Sequence, residues 1–321
     1  MSDGTTARVD VDDIMSGRRI TFGITGPTEQ DAIREFEEMG VESFWVGGHI
    51  ASRNPSPECV VYLSLVAARS SVPVGTSILL LPLYPPAMVA KQVADLDNAV
   101  GGRIIVGVGV GGEYPKEFEA VGVPMKERGA RANEAIPLIC ELWSAEPVTH
   151  AGRFFSMEDV KIHPAPPRPG GPPIVVSGRQ EPAMQRAALL GDGWMPYMYS
   201  VRRYKESVGR IHDIAGEEGR SLDGFSWMSY IPVCIDDDPV AAQRDGAAFL
   251  GGTYRQDFEE MIKHIGAVGT AEDVATRLCQ YVDAGARHFV FLPTRRDALV
   301  EQTGRLIEEV MPTVRAALGS A

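Results

Sequence analysis

Three glycines in Gly101–Val123, GGRIIVGVGVGGEYPKEFEAVGV, have a spacing that does chemistry in other proteins. Gly107, Gly109 and Gly112 fit G-x-G-x-x-G, with Gly111 between the last two. In that pattern bare backbone grips a dinucleotide pyrophosphate at the start of a helix. The pattern also needs a helix on the glycine turn and a second strand bearing an acid roughly 20 residues on. Here EYPKEFEAVGVPMKERGA follows Gly112, with two prolines, two more glycines and no β-branched run. The next clear element is a helix near Arg128, so the context does not support a dinucleotide fingerprint. The other reading is a strand end where glycine lets a flat ligand lie against backbone, or where it serves tight packing.

Three further places hold reactive side chains. His49 follows the apolar run FWVGG, where a neutral imidazole could accept or relay a proton near neutral pH, or simply bond backbone. Glu113 follows the glycines directly. In an apolar pocket its carboxyl would hold a proton and could act as an acid, and otherwise it caps the next turn. VSGRQEP (176–182) ends a strand in Ser177-Gly178 and starts a helix at Pro182. Free N–H groups there attract phosphate, and Arg179 adds a planar donor fork, unless it is an exposed arginine on a capped connection. Trp194, Met195, Tyr197, Met198 and Tyr199 form an aromatic and methionine cluster, of which the later members could line a pocket. Arg295 and Arg296 follow the last strand, where they could meet an anionic ligand or begin a solvated helix.

The elements that would position these residues alternate regularly. Strand-like runs occur at Arg18–Thr25, Ser43–Gly48, Val74–Leu81, Arg103–Val110, Pro173–Gly178, Gly193–Tyr199, Phe225–Ile235 and His288–Pro293. A helical pattern follows each one. The first, Thr28–Gly40, has a threonine cap and a terminal glycine. The last, Arg296–Leu318, closes the chain. Strict β-α alternation implies a parallel sheet, and eight repeats over 321 residues fit a (β/α)8 TIM barrel better than a doubly wound sheet. Residues 1–321 read as one barrel domain. Residues 148–171 interrupt the alternation as a hairpin, Val148–Thr149 against Phe154–Phe155, running into a Pro-rich excursion. In such a barrel the C-terminal strand ends build the active site, and His49, the glycine loop, Glu113, Ser177 to Arg179 and the later members of the aromatic cluster lie at such ends.

Composition narrows the partners. The chain is 44% hydrophobic with a formal net charge of −12, which argues against general nucleic-acid binding and against anionic membranes. No apolar run is long and unbroken enough to span a bilayer, and MSDGTTARVDVDD lacks the apolar segment of a signal peptide, so a cytoplasmic protein is expected. The four cysteines are scattered without a C-x-x-C pair, so no metal site is expected. A Schiff-base barrel lyase would want a lysine at a strand end, and none stands there.

These segments, in this order, resemble the bacterial-luciferase-like flavin and deazaflavin oxidoreductases. GGRIIVGVGVGGEYPKEFEAVGV is similar to that family's fourth strand, GVESFWVGGHI to its second, and VGTSILLLPLYPPAMVAKQVADLD to its third strand and helix. PPIVVSGRQEPAMQRAALLGDGWMP and VGTAEDVATRLCQYVDAGARHFVF resemble later segments, so the likeness covers nearly the whole chain. It implies a (β/α)8 barrel with an insertion after its fourth helix, binding coenzyme F420 or, in the alternative, FMN. The implied activity is hydride transfer between F420 and a small organic substrate. The alternatives are an FMNH2-dependent monooxygenase and a non-catalytic flavin-binding barrel. Thr76, Ser77 and Ile78 would lie along the deazaflavin, with a non-prolyl cis peptide at Ser77–Ile78. Gly107, Gly109, Gly111 and Gly112 would face the ring, while Ser177, Gly178 and Arg179 would hold the cofactor phosphate. His49 and Glu113 would be catalytic. The family often pairs an acid with its histidine here, and this chain has Gly48 in the acid's place. The resemblance also implies a homodimer and a separate reductase supplying reduced cofactor.

Overall fold

In the computed structural model, which describes residues 9–27 and 29–318, eight parallel strands close on themselves. They are β1 (Thr21–Thr25), β2 (Phe44–Val46), β3 (Val74–Thr76, resuming at Leu79–Leu80), β4 (Ile104–Gly109), β5 (Ile174–Val176), β6 (Gly193–Trp194), β7 (Ser226–Ile235) and β8 (His288–Pro293). The ring closes where Thr21 of β1 pairs with His288 of β8 and Gly193 of β6 pairs with Ser226 of β7. Every residue of β4 is buried. Helices cover a barrel strand on one side and side chains fill the other, which is why these strands read as unbroken apolar runs.

The two faces of each strand feed different cores. Trp45, Ile105, Val175, Met228 and Val290 point inward and pack together, while their chain neighbours join the larger core beneath the helices. A six-residue helix, Val11–Ser16, packs Val11, Ile14 and Met15 into the inner cluster, and Ser226 Oγ donates to the Ile14 carbonyl at 3.1 Å. The helix thus covers the N-terminal end of the barrel, where Ser226 begins β7. It has a capping box, Asp10 with Asp13, but is too short to show a helical period.

A buried polar cluster crosses the barrel interior. The Trp45 indole N–H donates to His288 Nε2 at 3.1 Å, and Thr21 Oγ1 lies 2.8 Å from His288 Nδ1. An indole only donates, so Nε2 accepts and Nδ1 carries the proton toward Thr21. Burial pushes the imidazole pKa down to about 3. The unfolded chain, with its histidine near 6.5, therefore binds a proton that the folded chain refuses. Stability from this group is whole above about pH 6.5 and is lost as pH falls, by up to about 1.4 kcal/mol per pH unit. Urea unfolding across that range should show this slope in the natural protein and a shallower one in His288→Gln. Equal slopes would remove the assignment.

Several boundaries differ from expectation; β6, for one, ends at Trp194 and not at Tyr199. The insertion hairpin pairs Val148–Ala151 with Ser156–Val160, not with Phe154–Phe155. Those phenylalanines form the turn instead. Their N–H groups are accepted by Glu134 of the helix Arg128–Leu142, and Arg131 lies over both rings. A strand at Ala267–Gly269, flanking β7 outside the ring, interrupts the helical region before β8. Helix Gln30–Met39 starts from Glu29, and its expected cap Thr28 lies outside the described residues.

Candidate active site

The C-terminal ends of the strands surround a cavity of about 830 Å³. One wall is backbone. Between Thr76 and Leu79 β3 breaks, and the Ser77–Ile78 peptide there is cis. Ser77 and Ile78 line the cavity; Thr76 sits behind them, its hydroxyl donating to the Gly107 carbonyl at 2.7 Å. Ser77 Oγ is buried without a hydrogen-bond partner. A buried hydroxyl left unbonded is costly, so a ligand atom belongs beside it.

The glycines of β4 divide into two kinds. Gly107 does not reach the cavity: a Cβ there would meet the Thr76 carbonyl oxygen at 1.9 Å. Its glycine serves the packing of β4 on β3, which corrects its expected place against the ligand. Gly109, Gly111 and Gly112 do line the cavity. At Gly109 a Cβ would meet the Ile78 Cδ1 at 1.9 Å. Gly111 (φ +61) and Gly112 (φ +121) take backbone that side chains rarely adopt.

His49 lies on the cavity, and its Nδ1 is 3.1 Å from Glu117 Oε1. The other Glu117 oxygen accepts the Ile50 N–H at 3.3 Å. Glu117 belongs to a short helix, Pro115–Ala120, and is 1% exposed. A carboxylate only accepts, so it keeps the imidazole proton on Nδ1 and leaves Nε2 as an acceptor. The histidine thus has an acid partner, drawn from 68 residues away instead of from its chain neighbour. Position 48 could not supply it, since a Cβ on Gly48 would lie 2.4 Å from the Pro57 carbonyl oxygen.

Glu113 also lines the cavity, but it is exposed and not enclosed in an apolar pocket as expected. It accepts from the Tyr197 hydroxyl at 2.5 Å. Arg179 stacks its guanidinium over the Tyr197 ring, 4.6 Å from the centroid. Arg179 lines the cavity beside Ser177 and Gly178, as expected of that loop, with its guanidinium against Tyr197.

Further cations line the same cavity. Arg186, on the helix Glu181–Leu190, is 5% exposed, with Nε donating to Asn133 at 2.7 Å and a terminal nitrogen to the Gly129 carbonyl at 3.2 Å. Arg128 and Lys126 also line the cavity, and Arg128 Nε is buried without a partner. Burial lowers the Arg186 pKa to about 10, so it stays charged. Ser177 and Gly178, which line the cavity, lead into this helix, whose second residue, Pro182, has no N–H and whose Ala183 N–H donates to the Gln180 carbonyl at 2.8 Å. Gly178 has φ +145, and a Cβ would meet that of Ala183 at 2.5 Å. Arg186, Arg128 and Lys126 together suit an anion. Arg186 was not anticipated, since QRAALL reads as an ordinary helix surface, and neither were Lys126 and Arg128 in MKERGA.

Of the two arginines after β8, Arg295 pairs with Asp236 (2.5 Å) and Asp245 (2.7 Å), leaving Arg296 on the cavity. Among the described residues no group of three His, Cys, Asp or Glu side chains could hold a metal ion, and no helix is long and apolar enough to cross a membrane.

The family model for luciferase-like monooxygenases matches residues 23–288. An F420-dependent glucose-6-phosphate dehydrogenase of Amycolatopsis mediterranei is 33% identical, over 87% of this chain and 92% of that protein. The enzyme of the same name from Kineococcus radiotolerans is 28% identical, over 86% and 91%. In fold, the chain is similar to an F420-dependent secondary alcohol dehydrogenase solved in complex with an F420-acetone adduct. The TM-score is 0.81 at 22% identity, covering 92% of this chain and 99% of that one.

Proposed function

This chain belongs to the luciferase-like monooxygenase family, and from that membership we propose that it moves hydride between coenzyme F420 and a small organic substrate. The observation that carries the reading is a cavity lined by three cations, Lys126, Arg128 and Arg186, and by a backbone wall that holds the unpartnered Ser77 hydroxyl. The residues fit the group. Ser177, Gly178, Arg128 and Arg186 would hold its phosphate, and Gly109 to Gly112 with Ser77 and Ile78 would border its ring. When bound, F420 supplies or accepts the hydride. His49 is placed to take or give the substrate's hydroxyl proton through Nε2, with Glu117 fixing the ring. Glu113 acts through Tyr197 at the substrate side.

Titration of the protein with F420 and with FMN, followed by cofactor fluorescence, tests the reading. F420 should bind and FMN should not. Arg186→Met should weaken F420 by about tenfold or more, the scale of one charge-assisted contact. FMN binding in preference to F420 would replace the reading with a flavin monooxygenase. We also propose a cytoplasmic homodimer, supported by exposed Val61, Leu65 and Met88 on neighbouring helices, Cys59–Ala67 and Pro86–Ala99. Sedimentation velocity would read its mass. A separate oxidoreductase that renews the dissociated cofactor is the partner this function calls for.

A further inference from the structure

We propose that the insertion hairpin is a brace for anion binding: through Glu134 it fixes the first turns of the helix Arg128–Leu142 and thereby sets the place of Arg186. Glu134 is then a positioning residue that acts through another. The proposal rests on the reading of Arg186 as a holder of the cofactor phosphate and adds the element that keeps it there. The hairpin gives little to the core, since only Val148 of its two strands is buried. One side chain fixes its turn. Glu134 accepts the Phe154 N–H at 3.1 Å and the Phe155 N–H at 2.9 Å, and His150 Nε2 lies 3.2 Å from the same carboxylate. Gly152 leaves room for it, because a Cβ there would run into Glu134 Oε1 and His150 Nε2. Arg131 adds its guanidinium, 4.9 Å from the centre of the Phe154 ring.

The helix needs the support. No side chain caps its start, its first turn contains Gly129, and Pro137 has no N–H for the Asn133 carbonyl. Each weakens the half of the helix that borders the cavity, where Arg128 and Gly129 line it. That half is held from outside on two faces. At about 100° per residue, Gly129 and Asn133 share one face, and Arg131 and Glu134 share another about 150° away. The first face holds Arg186, whose Nε donates to Asn133 Oδ1 and whose terminal nitrogen donates to the Gly129 carbonyl. The second face holds the hairpin. When the hairpin lets go, the first turns fray and both acceptors of Arg186 move. A guanidinium meets an anion well only in a fixed geometry. Arg128 is tied instead to the preceding turn, donating to the Met125 carbonyl at 2.9 Å, so the effect falls first on Arg186.

Such a coupling works in both directions. An anion that holds Arg186 in place steadies the first turns of the helix, and through them the hairpin. F420 should therefore slow amide hydrogen exchange at Phe154 and Phe155, although no residue of the hairpin lines the cavity.

The test is F420 affinity, titrated by fluorescence on full-length variants at a temperature where each is folded. Glu134→Ala removes the carboxylate, and Gly152→Ala displaces it from the hairpin side. Each should weaken F420 about fivefold or more, within the range of remote couplings. Glu134→Gln, whose amide oxygen still accepts a backbone N–H, should keep the affinity within about twofold. With Arg186→Met already in place, Glu134→Ala should cost no more than about twofold, since the residue it acts through is gone. Unchanged affinity in Glu134→Ala and Gly152→Ala overturns the proposal, and so does an equal loss with and without Arg186. If the natural protein binds no F420, the cofactor reading falls, and hydrogen exchange still decides the brace. Amides of residues 132–135 should then exchange about fivefold faster or more in Gly152→Ala than in the natural protein, and unchanged rates overturn it.

Discussion

Replacing His49 with alanine should lower kcat by about a hundred- to ten-thousandfold, the usual worth of a positioned general acid or base. The affinity for F420 should change little. The argument runs through Glu117, whose carboxylate holds the proton on Nδ1 and so presents Nε2 as the acceptor. Glu117→Gln should then also slow the reaction, by about ten- to a thousandfold, because an amide can donate to Nδ1 and reverse the tautomer. His49→Ala also leaves a nearly buried carboxylate without its partner, which costs stability. His49→Gln is the control, since its amide can still reach Glu117 while it cannot take a proton. Steady-state kinetics of the three variants, beside F420 titrations and melting curves, separate these effects. If His49→Gln keeps kcat within about threefold of the natural protein, His49 does not carry the proton.

The barrel was legible because its strands are buried on both sides, so IIVGVG and HFVFLP stand out as apolar runs between helical patterns. What escaped was short or distant. Helix Pro115–Ala120 has six residues, too few for a periodic signal, yet it carries Glu117. From the sequence Gly48 reads as a lost acid. In the structure the returning backbone at Pro57 and Cys59 leaves no room for a side chain there. The exchange of a neighbouring acid for one 68 residues away is a contact that no local pattern encodes. Arg186 was hidden for a similar reason: in PAMQRAALLG nothing marks the one polar residue that faces inward. Arg295 and Arg296 are indistinguishable in sequence, and only the two aspartates set them apart.

The glycines of β4 show the same limit and supply the second large effect. By sequence Gly107 and Gly109 are equivalent, two residues apart on one strand. Their neighbours are not. An alanine methyl at 107 meets the Thr76 carbonyl oxygen at 1.9 Å, a backbone atom fixed further by the Thr76 hydroxyl on the Gly107 carbonyl. The strands must part, so Gly107→Ala should cost about 3 kcal/mol in urea unfolding. A methyl at 109 meets the Ile78 side chain, Cδ1 at 1.9 Å and Cγ1 at 3.3 Å, whose end can rotate. Moving it costs about 0.5–1.5 kcal/mol. Ile78 lines the cavity, however, so its displacement falls on the ligand. Gly109→Ala should therefore fold nearly normally and weaken F420 by about tenfold or more, the affinity equivalent of about 1.4 kcal/mol. Unfolding curves and F420 titrations of both variants decide the matter. Similar stability losses at the two positions would mean that both glycines serve packing alone, and that the wall proposed for the cofactor ring lies elsewhere.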